Sequence, residues 1–414
     1  MASLVRWRKM RSILHILKPK AAPPPQQLPA LADDLLEEIF LRVASPADLV
    51  RAAAACAAFR RVILHASFLR RHRSLHPPLL LGVLCAGRPG PADFQFQPAE
   101  APHPSARAGH DLACAAGFSF AYLPPRDWDP CDARDGRVLL KSGPAGYDGV
   151  VLALVDLAVC DPLFQRYLLL PPIPNDLLAS VQLLDQDPRC FEPLLAPSGD
   201  DEDETSFRVI AIAYCTTRSV VFVYSTGSGS WSLGSSTSWD DTLLPLAPEC
   251  NFERHHYVNG CFFWRSGCGN KLIKLAVNTM EFTTIDLLPG HDGHDIVVVE
   301  AGEGRLAVYS QISRGTICSY TMMENEGERA DEWQMQSMIP LPSEYNCYIK
   351  GAAEGYIFLV GVPKSRKVRA VAPAVCFSLE IKTSKIERVC RICDPNCYFF
   401  PYFGFPPSLS PRRI

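Results

Sequence analysis

The sequence predicts a mainly β protein with a small α domain at its front: a helical module over residues 28–73, then a repeated β body over residues 79–405. Three features point there. Apolar residues recur at helical spacing in the first of those stretches. Beyond Pro78 the apolar runs shorten to strand length and are bounded by turn residues, in a chain with 36 prolines and 26 glycines. One strand–turn–strand pattern then returns at intervals of 45 to 64 residues, as a repeat architecture requires.

The chain has 414 residues, 48% hydrophobic and 21% charged, an ordinary globular balance with room for a core. A formal charge of -3 gives no global attraction to nucleic acid or an anionic membrane, and neither a nucleic-acid partner nor integral membrane association is expected. No apolar run reaches the length of about eighteen residues that a membrane-spanning helix needs. Sixteen cysteines without a secretory leader pattern read as reduced thiols, placing the protein in the cytoplasm or nucleus. The first twenty residues hold six Lys or Arg and no acid, with Leu4, Trp7, Met10, Ile13, Leu14 and Leu17 at helical spacing. That segment reads either as a frayed basic tail or as a targeting or membrane-surface helix. Pro19 and Pro23 to Pro25 end it and supply a linker, so residues 1–27 form a basic tail.

Asp33 and Asp34 open a first helix whose Leu35, Leu36, Ile39, Phe40 and Val43 share one face, with Glu37, Glu38 and Arg42 off it. Ser45, Pro46 and Asp48 have the order of an N-cap, a first-turn proline and an N3 carboxylate, starting a second helix through Leu49. A third segment, Cys56 to Leu64, carries Phe59, Val62 and Ile63, and Ser67 caps a last turn through Phe68 and Leu69. A unit of about 45 residues is near the lower limit for folding alone. Its apolar face needs a partner, either the rest of this chain or another protein.

These residues resemble the F-box, the module that joins substrate receptors to Skp/cullin ubiquitin ligases. The likeness lies in Leu31 with DDLLEEIFLRV, in SPADLVRA, and in Cys56 with Phe59, Arg60 and Arg61. Two positions depart from the family pattern. Leu31-Ala32 stands where Leu-Pro is usual, with Leu28-Pro29 three residues earlier, and Phe59 stands where Trp is common, keeping an aromatic ring without an indole N–H. The resemblance implies a Skp-family adaptor as partner and, through it, a cullin. It implies adaptor-binding roles for Leu31, Leu35, Leu36, Ile39, Phe40, Val43, Leu49 and Phe59.

In the body, an apolar strand, a polar turn and a bulky residue seven positions on recur at Cys160 to Tyr167, Tyr224 to Trp231, Leu275 to Phe282 and Leu379 to Ile386. Tyr320 and Trp333 make a fifth copy if ENEGERAD is an insertion. A period near 50 residues with this ending suits the blades of a kelch-like β-propeller. CDPLFQRYLLLPPIP and the GRVLL at residues 136–140 also resemble the F-box-associated propellers of plant proteins. With an irregular unit over residues 79–135, six blades are expected; five, seven or a pair of β-sandwiches are the alternatives. Strands near Leu79 to Leu84 are expected to pair with the last blade and remove the open edges. GDDEDE, residues 199–204, reads as a solvated loop between blades or a contact for a basic partner.

Cys390, Cys393 and Cys397 have the spacing C-x₂-C-x₃-C but lack the second pair of a zinc ribbon, and read as strand and loop thiols. His291, Asp292, His294 and Asp295, like His255 and His256, read as polar turn residues. No nucleophile elbow, phosphate loop, dinucleotide fingerprint or zinc-protease motif is present, so no catalytic residue, metal or cofactor is expected. The functional expectation is a non-enzymatic substrate-recognition subunit whose propeller holds an unknown target protein. A propeller scaffold outside any ligase, or a propeller enzyme with a site assembled from loops, are the alternatives.

Overall fold

A computed structural model of the chain describes residues 32–43, 46–76, 78–86, 94–142, 155–181, 190–197, 206–215, 217–238, 255–266, 270–288, 290–291, 294–302, 304–323, 332–364 and 373–404. The chain divides into two compact units, residues 1–72 and 73–414.

The first unit is built on helices α1 (Asp33–Leu41), α2 (Pro46–Ala55) and α3 (Ala57–Ile63), with α4 (Ala66–Leu75) following. Among the described residues, four helices thus stand where the sequence suggested three. The expected last turn is a ten-residue helix because Phe68 and His72, one turn apart, are both buried, while the basic residues between them hide that stripe from a hydropathy reading. Their rings stack at 5.7 Å, and His72 Nε2 lies 2.8 Å from the carbonyl oxygen of Val43. Leu36, Phe40, Leu49, Ala53, Val62 and Ile63 supply the rest of this small core, and Phe40 meets Phe59 edge-on at 5.1 Å. Asp33 and Asp34 occupy the first turn of α1, where the helix dipole favours negative charge. Arg61 holds Asp33 at 2.7 Å, and Arg71 reaches Glu37 at 2.6 Å and Glu38 at 2.9 Å. Exposed pairs of this kind contribute little, because water and salt screen them.

The second unit is a six-bladed β-propeller. Its chain begins with β1 (Leu79–Ala86) and β2 (Phe94–Pro98), and helix α5 (Ala106–Ala115) leads to blade one. Blade one comprises β3 (Asp129–Arg134), β4 (Arg137–Ser142), β5 (Asp156–Asp161) and β6 (Arg166–Leu169). After the short helix α6 (Asn175–Ser180), blade two is β7 (Cys190–Pro197), β8 (Phe207–Tyr214), β9 (Arg218–Ser225) and β10 (Ser230–Ser238). Blade three is β11 (His256–Val258), β12 (Cys261–Arg265), β13 (Lys271–Ala276) and β14 (Glu281–Asp286). Blade four is β15 (Ile296–Glu300), β16 (Leu306–Ser313), β17 (Thr316–Met323) and β18 (Glu332–Pro340). Blade five is β19 (Tyr345–Ala353), β20 (Tyr356–Pro363), β21 (Ala374–Glu380) and β22 (Ile386–Ile392). Each of these five is an antiparallel meander. The sixth sheet, in the order β2, β1, β23 (Tyr398–Gly404), joins the two ends of the propeller chain.

That composite blade closes the ring as expected, with Leu84 opposite Phe400 and Ala86 opposite Tyr398. Within this blade β1 and β2 approach closely at Gly82 of β1. A Cβ there would overlap the carbonyl oxygen of Gln97 and the ring of Phe96, both on β2. Gly82→Ala is therefore expected to cost about 1–3 kcal/mol, the range of an overpacked core, read as a lower denaturant midpoint with an unchanged m-value.

Six apolar cores alternate with the six blades around the ring. In β8, Val209, Ala211 and Ala213 pack toward blade one, while Ile210, Ile212 and Tyr214 pack toward blade three. In β20, Ile357 and Leu359 face blade four, while Phe358 and Val360 face the composite blade. A strand buried on both faces has no polar side to alternate with. VIAIAY in β8, after Arg208, and YIFLVGVP in β20 are unbroken runs without a charged residue for that reason.

The seven-residue spacing also has a structural cause. Cys160 and Tyr167, Tyr224 and Trp231, Leu275 and Phe282, and Leu379 and Ile386 are each register partners across the third and fourth strands of a blade. The fifth copy is corrected. Tyr320 pairs with Met335, and Trp333 pairs with Met322, so those two residues are not partners; ENEGERAD lies outside the described residues. The composite blade has no copy because its strands come from opposite ends of the body. Helices α5 and α6 are further departures from an all-strand body. The acidic run at 199–204 lies outside the described residues, but its flanking strands β7 and β8 are partners in one blade, with Pro197 opposite Phe207, so it joins two strands rather than two blades.

Candidate functional site

On α1 the predicted apolar face divides in two. Leu36 and Phe40, four residues apart, point into the helical unit, whereas Leu35 and Ile39 are 55% and 48% exposed. Among the other expected adaptor residues, Leu49 is buried, and Val43 and Phe59 are half-buried. Leu31 lies outside the described residues, as do the basic segment over residues 1–20 and Ser45. Burial within the unit gives Leu36, Phe40 and Leu49 a structural role already, and leaves Leu35 and Ile39 as the side chains displayed to solvent.

In the propeller, the turns joining the first two strands of several blades meet at one end of the ring around a cavity of about 770 Å³. Three of them are two-residue turns with both residues at positive φ: Asp135-Gly136 (54° and 71°), Asn259-Gly260 (48° and 73°) and Glu354-Gly355 (49° and 81°). This is type I′ geometry, whose twist matches the strands and whose second residue is glycine because a Cβ there is strained. Glu300, Lys382, Tyr257, Tyr356 and Phe403 also line the cavity. Asn259 Nδ2 ties its turn to the one in blade four, donating to the Gly304 carbonyl at 2.9 Å, and the Tyr402 hydroxyl of β23 donates to the Gly136 carbonyl at 2.9 Å. Arg134 Nε donates to the Leu195 carbonyl at 3.0 Å, and its guanidinium lies 4.3 Å from the Tyr257 ring centre. Apart from Gly136, which opens GRVLL, none of these residues was singled out from the sequence. The legible signal was the repeated acid-or-amide–glycine pair between apolar runs at residues 135, 259 and 354.

A second polar constellation joins the inner strands of blades one to three. His255, just ahead of β11, lies with Nε2 3.5 Å from Asp132 of β3 and Nδ1 3.3 Å from Glu192 of β7. Tyr214 and Trp264 donate to Glu192 at 3.0 and 3.1 Å, and the amides of Ala133 and Leu195 donate to Asp132 at 2.8 and 2.9 Å. The expectation of a polar turn at His255 is thus corrected: its half-buried ring ties blade three to blades one and two. Burial opposes charge on His255, but Asp132 and then Glu192 outweigh it and raise its pKa to about 9. Burial likewise opposes ionisation of Asp132, yet His255, Arg134 and the Leu195 amide hold it down at about 2.

The stabilisation from His255 is full below its ordinary 6.5 and is lost as pH rises through about 9. That from Asp132 is present above its ordinary 3.8 and lost as pH falls through about 2. Denaturant midpoints should therefore decline between about pH 6.5 and 9, and His255→Gln should be less stable at pH 6 with a flatter alkaline decline. An equal alkaline decline in the variant would remove His255 as its cause.

Of the remaining sequence candidates, Cys390 and Cys397 come together with Cys85 and Cys376 in the core between blade five and the composite blade. His291 Nδ1 bonds the Ser310 hydroxyl at 2.8 Å in a buried position, and Asp292 lies outside the described residues. Cys390 and Cys397 are buried, Cys393 is exposed, and Cys390 is the register partner of Cys376. Among the described residues, no group of three or more His, Cys, Asp or Glu side chains is arranged to hold a metal, and no helix is long and apolar enough to cross a membrane.

The fold and its end cavity define a six-bladed β-propeller that follows a small helical unit. No protein-family model matches the chain, and no curated protein matches it. Among solved structures, it is similar to TolB from Acinetobacter baumannii at 11% identity, over 72% of this chain and 62% of TolB, with a TM-score of 0.36. It is similar to a fucose-specific lectin from Aleuria aurantia at 13% identity, over 63% of this chain and 76% of the lectin, with a TM-score of 0.34. A third similarity, to the GH43 β-1,3-galactosidase BT0265, has 10% identity over 62% of this chain and 57% of that enzyme, with a TM-score of 0.33. At such identities and scores these similarities say nothing of activity.

Proposed function

We propose that this protein is a substrate-recognition subunit of a Skp/cullin ubiquitin ligase, acting in the cytoplasm or nucleus. Its helical unit docks a Skp-family adaptor, and its propeller binds the protein to be modified. The observation that carries this is the display of Leu35 and Ile39 on α1 directly beside the packed pair Leu36 and Phe40. Two large aliphatic side chains one turn apart, each about half exposed, form the centre of a surface that a partner can cover. The resemblance of this segment to the F-box supplies the identity of that partner. The subunit does no bond chemistry in this role. It raises the effective concentration of target lysines near the catalytic partner of the ligase.

The test is reconstitution of the full chain with a recombinant Skp-family adaptor and cullin, compared with a chain lacking residues 28–73. Co-elution of the full chain alone is the expected result. Equal recovery of both chains, or of neither, overturns the proposal.

A further inference from the structure

We propose that the thiol cluster between blade five and the composite blade is a redox latch, in which hydrogen peroxide oxidises Cys393 and the resulting disulfide passes inward to join Cys85 to Cys397. This goes beyond the ligase reading and does not rest on it. Four thiols share one core there: Cys85 on β1, Cys376 on β21, Cys390 on β22, and Cys397 just ahead of β23. Cys85 is the register partner of Phe399, and Cys397, two residues before Phe399, stands on the same face. The Cys85 and Cys397 thiols hydrogen-bond one another. Cys376 and Cys390 are register partners and likewise bond each other.

Exposure grades the cluster. Cys376 and Cys390 are wholly buried, Cys85 and Cys397 are 8% and 7% exposed, and Cys393 is exposed. An oxidant arriving from solvent therefore meets Cys393 first. Cys393 and Cys397 flank a tight turn, in which the Cys397 amide donates to the Asp394 carbonyl at 3.2 Å and the Asn396 amide donates to the Asp394 carboxylate at 2.8 Å. The bond to Cys397 and then burial push the Cys85 thiol up, so Cys85 keeps its proton while Cys397 makes the first attack.

Three steps move the bond inward. The Cys393 thiolate attacks one peroxide oxygen, the O–O bond breaks, and the products are a sulfenic acid on Cys393 and, after protonation, one water. The Cys397 thiolate then attacks the Cys393 sulfur, forming a Cys393–Cys397 disulfide as the S–O bond breaks and a second water leaves. Last, the Cys85 sulfur attacks that of Cys397, and Cys393 departs as a thiolate that takes up the proton Cys85 releases. In sum, two thiols are oxidised to one disulfide and one peroxide is reduced to two waters. The final bond ties the first strand of the propeller to the start of its last across more than three hundred residues, a span over which a cross-link strongly restricts the unfolded chain.

The test treats the reduced full chain with hydrogen peroxide, blocks the remaining thiols with N-ethylmaleimide, and maps disulfides by mass spectrometry of a non-reduced digest. A cross-link between Cys85 and Cys397 is expected, with the melting temperature raised by at least about 3 °C and returned to its starting value by dithiothreitol. Cys393→Ser should slow formation of that cross-link at least about fivefold, because the accessible thiol is gone. The reduced variant should melt with the native chain, since Cys393 is exposed. Cys85→Ala should stop at the Cys393–Cys397 bond and lose the thermal rise. If Cys85→Ala melts early when reduced, the cross-link map of the native chain and the rate in Cys393→Ser still decide. Cross-links between other cysteines alone, no cross-link, an unchanged rate in Cys393→Ser, or an unshifted melting temperature overturns the proposal.

Discussion

Leu35→Ala combined with Ile39→Ala is expected to abolish recovery of the adaptor while leaving thermal unfolding of the chain unchanged. Truncating a buried interface anchor commonly costs about 2 kcal/mol or more. Two such losses, if roughly additive, weaken binding by about a thousandfold. The folded chain should barely register the change, because both side chains are about half exposed and contribute little to its own core. The control is Leu36→Ala with Phe40→Ala. Those two are buried, and Phe40 carries the edge-on contact with Phe59, so their loss should melt the helical unit itself at about 2–5 kcal/mol each. Isothermal titration with the adaptor and differential scanning calorimetry separate the two pairs. An adaptor affinity unchanged in the Leu35, Ile39 double variant would falsify the assignment of this face.

Trp231→Ala should destabilise the propeller by about 3–5 kcal/mol, the cost of a large buried aromatic. Trp231 is 8% exposed, lies 5.5 Å from the ring of its register partner Tyr224, and donates its indole N–H to the Pro171 carbonyl at 2.7 Å. It therefore fastens the outer strand of blade two to the segment arriving from blade one, and truncation leaves both a cavity and an unmade hydrogen bond. Trp333 makes the equivalent tie from blade four, donating to the Asp286 carbonyl of blade three at 2.9 Å. It is half-buried, so Trp333→Ala should cost less. Trp231→Phe separates the two contributions: it keeps most of the packing and loses the bond, with an expected cost of about 1–3 kcal/mol. A loss below about 1 kcal/mol in Trp231→Ala would show that the ring does not hold the blades together.

The sequence by itself determined the division into a helical front and a strand body, the presence of α1, α2 and α3, and the approximate number of blades. Those features rest on short-range physics: the 3.6-residue period of an amphipathic helix, the proline at the start of α2, and the seven-residue separation of register partners across a tight hairpin. Which half of the α1 stripe faces inward was not readable. Leu35, Leu36, Ile39 and Phe40 are chemically alike and adjacent on the helix, and only their packing against α3 separates them. Helix α4 was missed because two residues, Phe68 and His72, carry its burial among many charges.

The composite blade, the end cavity and the tie through His255 belong to the tertiary structure alone. β1 and β23 pair across more than three hundred residues, so no local spacing announces which strand Leu84 will face. Glu192 and His255 stand 63 residues apart in unrelated surroundings, and Asp132 is more distant still from His255. Asp135 and Glu354 are ordinary turn residues in the linear chain and become neighbours at one mouth when the ring closes. Local chemistry fixes a turn or a helix, because its partners lie within a few residues. A site made of many turns exists only after closure has brought distant turns together.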